Sequence, residues 1–246
     1  MQCAVTAAKR GHDVILCEKS DSLGGALKAE RGIPFKADLF RFIEVKSLQM
    51  KRGGVDIRLN TVVTPELVEE LSPHAVIVAA GSQAQVPPLP GIEKAIMADN
   101  LPDFRDKLGK RVAILGGGLV GCETAVHLVM EGHDVTVVEM QEDICIDANP
   151  RHRPLLLAEL ERQNVNCLTE TRAISVTDEG LVCVTPTGEI LVSADSVVCA
   201  AGRVPNSDVI EALKGTTPYF DTIGDCVKPA NVTQAVFRGH FAAIDI

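Results

Sequence analysis

A glycine-rich turn followed by an acidic residue carries the clearest chemistry in this sequence. The turn, Gly116-Gly-Gly118-Leu-Val-Gly121, lies between an apolar strand pattern and a helix pattern, and Glu139 ends the next strand pattern. Gly116 permits a tight turn, Gly118 lets a pyrophosphate approach the backbone, and Gly121 allows helix and strand to pack closely. The helix N-terminus offers unpaired N–H groups to the phosphates. This spacing predicts a dinucleotide site, and the alternative is a glycine turn that binds no ligand.

Glu139 is placed to distinguish the two pyridine nucleotides. A carboxylate at this position accepts hydrogen bonds from the ribose hydroxyls and repels a 2′-phosphate. The residues between Glu139 and Pro150 include no Arg or Lys that would neutralise such a phosphate. An arginine farther along the chain could fold back into the site, namely Arg151, Arg153 or Arg172. The sequence therefore favours NADH over NADPH.

Parts of this unit occur twice in the chain. Gly11-His-Asp-Val14 recurs as Gly132-His-Asp-Val135, and Ala79-Ala-Gly81 recurs at the same offset as Ala200-Ala-Gly202. Both tripeptides end an apolar strand pattern. The matched offsets predict two nucleotide-binding units of one kind.

Glu18 takes the place in the first unit that Glu139 has in the second. We expect it to bind a ribose, and the alternative is a solvated acid at a strand end. The corresponding glycine loop would lie before Met1. The sequence is therefore predicted to be an N-terminally truncated fragment, which lacks the first strand and the glycine loop of its first domain.

A second acidic turn lies near the C-terminal end. Thr222-Ile-Gly-Asp225 closes an apolar strand pattern, and a helix pattern begins near Asn231. An acid at such a strand end can hold the sugar-alcohol chain of a flavin nucleotide, and the helix N-terminus can stabilise negative charge on the flavin. The alternative is a Gly-Asp turn without a ligand.

The elements that must position these residues alternate between strand and helix patterns, which predicts an α/β fold with a mostly parallel sheet. The proline-rich segment from Gln85 to Gly91 is predicted to be a connector. Strands are predicted at residues 14–17, 56–59, 75–79, 111–115, 134–138 and 196–200, with β-hairpins over 173–191. Helices are predicted at residues 1–9, 36–51, 119–131 and 153–162.

Composition excludes several classes of function. Of 246 residues, 46% are hydrophobic and 23% are charged, as in a globular protein, and the net charge of -9 opposes binding to nucleic acid or an anionic membrane. Apolar stretches fall short of the ~20 residues of a membrane helix. The N-terminus lacks a signal-peptide pattern, so we expect a cytoplasmic protein. The eight cysteines form no Cys-x-x-Cys motif, which argues against a metal site in this chain.

The motifs together resemble the flavoprotein oxidoreductases that are built from two dinucleotide-binding domains. The resemblance is strongest to the C-terminal region of the NADH:flavin oxidoreductases, the group of 2,4-dienoyl-CoA reductase, 2-enoate reductase and trimethylamine dehydrogenase. The residues that carry it are 11–18 with 23–25, 76–81, 116–121 with Glu139, 201–206, and 223–225 through 238–240. It implies two Rossmann-like, three-layer domains, with an NAD(H)-binding domain at 107–205 inserted into an FAD-binding domain formed by 1–106 and 206–246.

The resemblance also implies a role for each motif. FAD would be bound by Glu18, Gly24, Gly25, Gly81, Gly224 and Asp225. NADH would be bound by Gly116, Gly118, Gly121, Glu139 and Gly202. The module would pass hydride from NADH to FAD without a catalytic side chain or a metal, because the two cofactors carry the chemistry.

The resemblance places the final reaction outside this chain. FMN and a 4Fe-4S cluster are expected only in a missing N-terminal FMN barrel domain or an equivalent subunit, where an enoate or enoyl-CoA type double bond would be reduced. Two alternatives remain: a non-catalytic nucleotide-binding module, and a flavoprotein that resembles a disulfide reductase or an amidotransferase subunit. The missing Cys-x-x-Cys motif disfavours the disulfide reductase.

Overall fold

The computed structural model describes residues 1–30 and 33–246. Within these residues, the helices and strands follow one another as α1 (Gln2–Lys9), β1 (Ile15–Cys17), α2 (Ala37–Arg52), β2 (Asp56–Arg58), α3 (Pro65–Leu71), β3 (Ala75–Val78), β4 (Ser82–Ala84), β5 (Ile96–Met97), α4 (Leu101–Phe104), β6 (Arg111–Leu115), α5 (Leu119–Met130), β7 (Asp134–Val138), α6 (Arg153–Arg162), β8 (Asn166–Leu168), β9 (Arg172–Thr177), β10 (Gly180–Thr185), β11 (Gly188–Ser193), β12 (Ser196–Cys199), β13 (Arg203–Pro205), α7 (Ser207–Leu213), β14 (Tyr219–Thr222) and α8 (Val232–Ala242).

The chain divides into two compact units, and the second is inserted into the first along the sequence. The first unit comprises Met1–Gln83 and Arg203–Ile246, and the second comprises Ala84–Gly202. The second unit therefore begins earlier than the expected residue 107. The reason is that the proline-rich connector and β5 pack within it: the Val176 N–H donates to the Pro90 carbonyl at 2.8 Å, and β5 pairs with β12.

A parallel sheet of five strands lies at the centre of the second unit, in the order β5-β12-β6-β7-β8. Side chains of β6 alternate between two cores, as expected for a strand that is buried on both faces. Val112 and Ile114 pack with α5 and α6, whereas Ala113 packs against the antiparallel sheet β11-β10-β9. The unit thus has three layers: helices, parallel sheet and antiparallel sheet. The predicted α/β class with a parallel sheet is confirmed.

The first unit contains three pairs of strands among its described residues: β1 with β2, β3 with β14, and β4 with β13. The first two pairs are parallel. Helices α1 and α2 cover the β1-β2 pair through Val5 and Met50, and α3 and α7 contribute Val68 and Leu213 to a cluster on β3. Helix α8 packs on α1.

Candidate nucleotide-binding sites

The glycine turn of the second unit lies at the carboxyl edge of the parallel sheet. Gly116 follows β6, and its N–H donates to the Val138 carbonyl at the end of β7, at 2.9 Å. Its φ is +109°, and a Cβ here would lie 2.5 Å from the carbonyl oxygen of Ala200, just after β12. A Cβ at Gly121 would overlap the carbonyl oxygen of Gly116. The turn therefore passes close to the ends of both neighbouring strands, where only glycine fits.

Helix α5 begins directly after the turn. Gly118 is its N-cap and has no side chain with which to cap the helix, and the first turn of the helix contains no acidic residue. The N–H of Leu119 instead donates to Oδ1 of Asp147, at 2.8 Å. The positive end of the helix dipole thus faces an anion. This N-terminus fits a pyrophosphate, because the glycine cap lets an anionic group approach the backbone.

Glu139 directly follows β7, and its side chain contacts the glycine turn. Its Oε2 accepts the N–H of Gly117 at 2.7 Å, and its Oε1 accepts the N–H of Gln141 at 2.9 Å. A carboxylate held at this sheet edge, beside the turn, can accept hydrogen bonds from ribose hydroxyls.

The residues that follow Glu139 in the sequence help to line a shallow surface groove. Among the residues that line it, three are acidic and one is basic: Glu142, Asp143, Glu170 and Arg172. The lining of this groove therefore carries more negative than positive charge. Of the arginines that could fold back into the site, Arg172 lines this groove, whereas Arg153 contacts the carboxylate of Asp143 and the carbonyl of Ile144.

Gly202 lies at the same edge as the glycine turn. It follows β12 by way of Ala200, whose N–H donates to the Leu115 carbonyl at 2.8 Å, and its own carbonyl accepts the N–H of Gln85 at 2.9 Å. All five residues predicted to bind NADH are thus carried by segments that follow β6, β7 and β12. Ligands of open parallel sheets bind at such a carboxyl edge.

The residues predicted to bind FAD form two groups in the first unit. In the first group, Glu18 follows β1, and its Oε1 accepts hydrogen bonds from the backbone N–H and the hydroxyl of Ser20, at 2.9 and 2.8 Å. Lys28 donates to the Ser20 hydroxyl at 2.7 Å. Lys28 belongs to the 3-10 segment that starts at Gly25, so the Gly24-Gly25 turn is tied to Glu18 through Ser20.

The second group lies at the ends of β3 and β14, which are neighbours in a parallel pair. Gly81 follows β3, and Asp225 follows β14 after Gly224. The Ser82 hydroxyl donates to Asp225 Oδ2 at 3.4 Å and accepts a hydrogen bond from Arg203 Nε at 2.8 Å. Asn231 caps α8 by accepting the N–H of Gln234 at 3.0 Å. The structure thus brings the residues predicted to hold the sugar-alcohol chain of a flavin nucleotide to one end of the β3-β14 pair.

Sequence reasoning missed several residues that order these sites. Ser20 and Lys28 position Glu18, and Ser82 and Arg203 position Asp225. Asp147 was also missed. Arg203 could have been predicted, because it belongs to the 201–206 motif. Asp147 could not, because the residues that it brings into contact have no characteristic spacing in the sequence.

The cysteines form no disulfide. All eight are free, and five of them are buried. The Cys122 thiol donates to the Gly117 carbonyl at 3.3 Å. Its interaction with the neighbouring Cys145 thiol raises the pKa of Cys122 and lowers that of Cys145. In residues 1–30 and 33–246, no three His, Cys, Asp or Glu side chains are grouped so as to hold a metal ion. None of the helices in those ranges has the length and apolarity to cross a membrane.

Comparison with known proteins identifies the class. A model of the pyridine nucleotide-disulphide oxidoreductases matches residues 1–219, so the chain belongs to this family. Membership implies binding of FAD and NAD(H).

The relatives are longer than this chain. A bilirubin reductase from Mediterraneibacter gnavus is 33% identical over 246 residues, which cover 99% of this chain and 38% of that protein. A cinnamate reductase from Clostridium sporogenes is 33% identical over 250 residues, or 100% of this chain and 37% of that protein. The solved structure of a 2-naphthoyl-CoA reductase with 2-naphthoyl-CoA matches 100% of this chain and 38% of that chain, with a TM-score of 0.92 and 28% identity. The chain thus spans less than two fifths of the length of these proteins.

Proposed function

We propose that this chain is the FAD- and NADH-binding module of a flavin oxidoreductase, in which hydride passes from NADH to FAD. The observation that carries the proposal is the arrangement of the second unit, where the Gly116–Gly121 turn, the N-terminus of α5 and Glu139 share one sheet edge. When bound, the flavin supplies the hydride-accepting chemistry.

The protein's own residues bind and orient the nucleotides. The N-terminus of α5 holds the pyrophosphate of NADH, and Glu139 accepts hydrogen bonds from the ribose. The acidic groove after Glu139 repels the additional phosphate of NADPH, which favours NADH. In the first unit, Glu18 holds the ribose of FAD, and Asp225 holds the sugar-alcohol chain beside the N-terminus of α8.

We further propose that a separate N-terminal domain or subunit, with FMN and a 4Fe-4S cluster, receives the electrons. The coverage supports a further domain or subunit, since the chain matches less than two fifths of the related reductases. The assignment of FMN and the cluster to it rests on the resemblance of the sequence motifs. The names of these relatives refer to bilirubin, cinnamate and 2-naphthoyl-CoA, which are all conjugated compounds. The substrate class proposed for the whole protein is therefore a conjugated, activated double bond, as in an enoate or enoyl-CoA.

Calorimetric titration with NADH and NADPH tests the nucleotide site. We expect NADH to bind more tightly, and Glu139→Gln to weaken NADH binding roughly tenfold because a charged hydrogen-bond acceptor is lost. Glu142→Gln is the matched control, since it removes an equal charge from the neighbouring groove, and it should change the NADH Kd less than twofold. Preference for NADPH, or equal effects of the two variants, would contradict the assigned role of Glu139.

Anaerobic mixing of the FAD-loaded chain with NADH tests the redox role. Bleaching of the flavin absorbance at a rate that saturates with NADH supports hydride transfer. A chain that binds both cofactors without bleaching is the non-catalytic module that the sequence left as an alternative.

A further inference from the structure

Asp147 places a carboxylate of the chain itself at the start of α5. It lies in the loop between β7 and α6, and its Oδ1 accepts the Leu119 N–H at 2.8 Å. Its Oδ2 lies 3.3 Å from where a Cβ of Gly118 would stand. Both carboxylate oxygens therefore lie against the junction of the glycine cap and the first helical residue.

This junction is where a bound pyrophosphate would accept hydrogen bonds. A phosphate and a carboxylate cannot both take the single N–H of Leu119 at full strength, and two negative charges a few ångströms apart repel each other. Nucleotide binding to this N-terminus therefore requires the Asp147 carboxylate to move away and release the N–H of Leu119.

The surroundings of Asp147 allow the side chain to move while the loop remains in place. Asp147 is exposed, so water can solvate a displaced carboxylate. Its neighbours Cys145 and Ala148 are buried, and the Cys145 N–H donates to the Gly117 carbonyl at 2.8 Å. The loop is thus anchored to the glycine turn independently of Asp147.

We propose that Asp147 competes with the pyrophosphate of NADH for the N-terminus of α5. It caps this helix in the nucleotide-free protein, and the free energy needed to displace it weakens NADH binding. This inference rests on the proposed NADH site and adds a determinant of its affinity.

Three variants of the chain test this competition. Asp147→Ala removes the competing group, and Asp147→Asn keeps an oxygen acceptor but removes its charge. Glu161→Ala is the matched control, because it removes the same charge from an exposed position near the end of α6 in the same unit. The NADH Kd is measured by calorimetry, and the melting temperature is measured without nucleotide.

We expect Asp147→Ala to bind NADH roughly fivefold more tightly, in line with the strength of helix N-caps, and to melt a few degrees lower without nucleotide. Asp147→Asn should lie between Asp147→Ala and the unmodified chain, and Glu161→Ala should match the unmodified chain. Weaker or unchanged NADH binding by Asp147→Ala overturns the proposal while leaving the proposed function intact.

A separate outcome addresses the proposed function. If neither the unmodified chain nor any variant binds NADH or NADPH, the nucleotide site fails, and titration with inorganic pyrophosphate then tests Asp147 alone. Tighter pyrophosphate binding by Asp147→Ala than by the unmodified chain supports the competition, and equal or absent binding overturns it.

Discussion

Gly116 and Gly132, both in the second unit, require glycine for different reasons. Both have positive φ, +109° and +95°, but a Cβ at Gly116 would meet the Ala200 carbonyl, whereas one at Gly132 would have nothing within 4 Å. At Gly132 the constraint is the backbone conformation alone. At Gly116 the constraint is also the space between the ends of β6 and β12.

Alanine substitutions at these two glycines should therefore differ. We expect Gly132→Ala to lower the free energy of unfolding by about 1–2 kcal/mol through backbone strain, and Gly116→Ala to cost about 1–3 kcal/mol more through overpacking. Urea unfolding measures both costs. Gly116→Ala should also weaken NADH binding, and an equal loss of stability in the two variants would argue against the steric role of Gly116.

The residues of the candidate sites were predictable where chemistry follows local spacing. The glycine turn and Glu139 form a recognisable pattern because β6, the turn and β7 are consecutive along the chain. Asp147, Ser20 and Ser82 were not predictable, because a single acid or serine in a loop has no periodicity and its partner is chosen by tertiary folding.

At the scale of elements, apolar runs identified the strands that are buried on both faces. The predicted strands at 111–115 and 134–138 match β6 and β7, and the predicted helix at 153–162 matches α6. Strand β5 and helix α4 were missed, since they contain only two and four residues. Such short segments are stabilised by their neighbours and carry little periodicity of their own.

Two helices of the first unit have side-chain caps, and removal of each cap should act locally. Thr64 accepts the Leu67 N–H at the start of α3, and Asn231 accepts the Gln234 N–H at the start of α8. Thr64→Ala and Asn231→Ala should each cost about 1 kcal/mol. Hydrogen exchange should accelerate at Leu67 only in the first variant and at Gln234 only in the second. Faster exchange at both helices in either variant would show that the caps are coupled.

At the scale of the whole molecule, the two units differ in how their sheets are built. The second unit has a continuous sheet of five parallel strands, whereas the sheets in the described residues of the first unit have two strands each. Small two-stranded sheets depend on packing for stability. We therefore expect the second unit to unfold at higher urea concentrations than the first unit.

Buried cysteines provide a probe of each unit. Cys183 is 0% exposed in the second unit, where burial raises its pKa to about 11, and Cys226 is 2% exposed in the first. At neutral pH both should react with iodoacetamide only after their own unit opens. We expect Cys226 to be labelled at lower urea concentrations than Cys183, as measured by peptide mass spectrometry. NADH should shift only the Cys183 transition to higher urea, and labelling of both at one urea concentration would indicate a single cooperative unit.

The hydrogen bond from Gln85 to Gly202 joins the two ends of the inserted unit at 2.9 Å. A segment whose ends meet can be removed from, or moved between, host chains with little change to its own fold. We therefore expect residues 84–202 to fold when they are expressed alone, and the first unit to tolerate insertion of other sequences at the same junction.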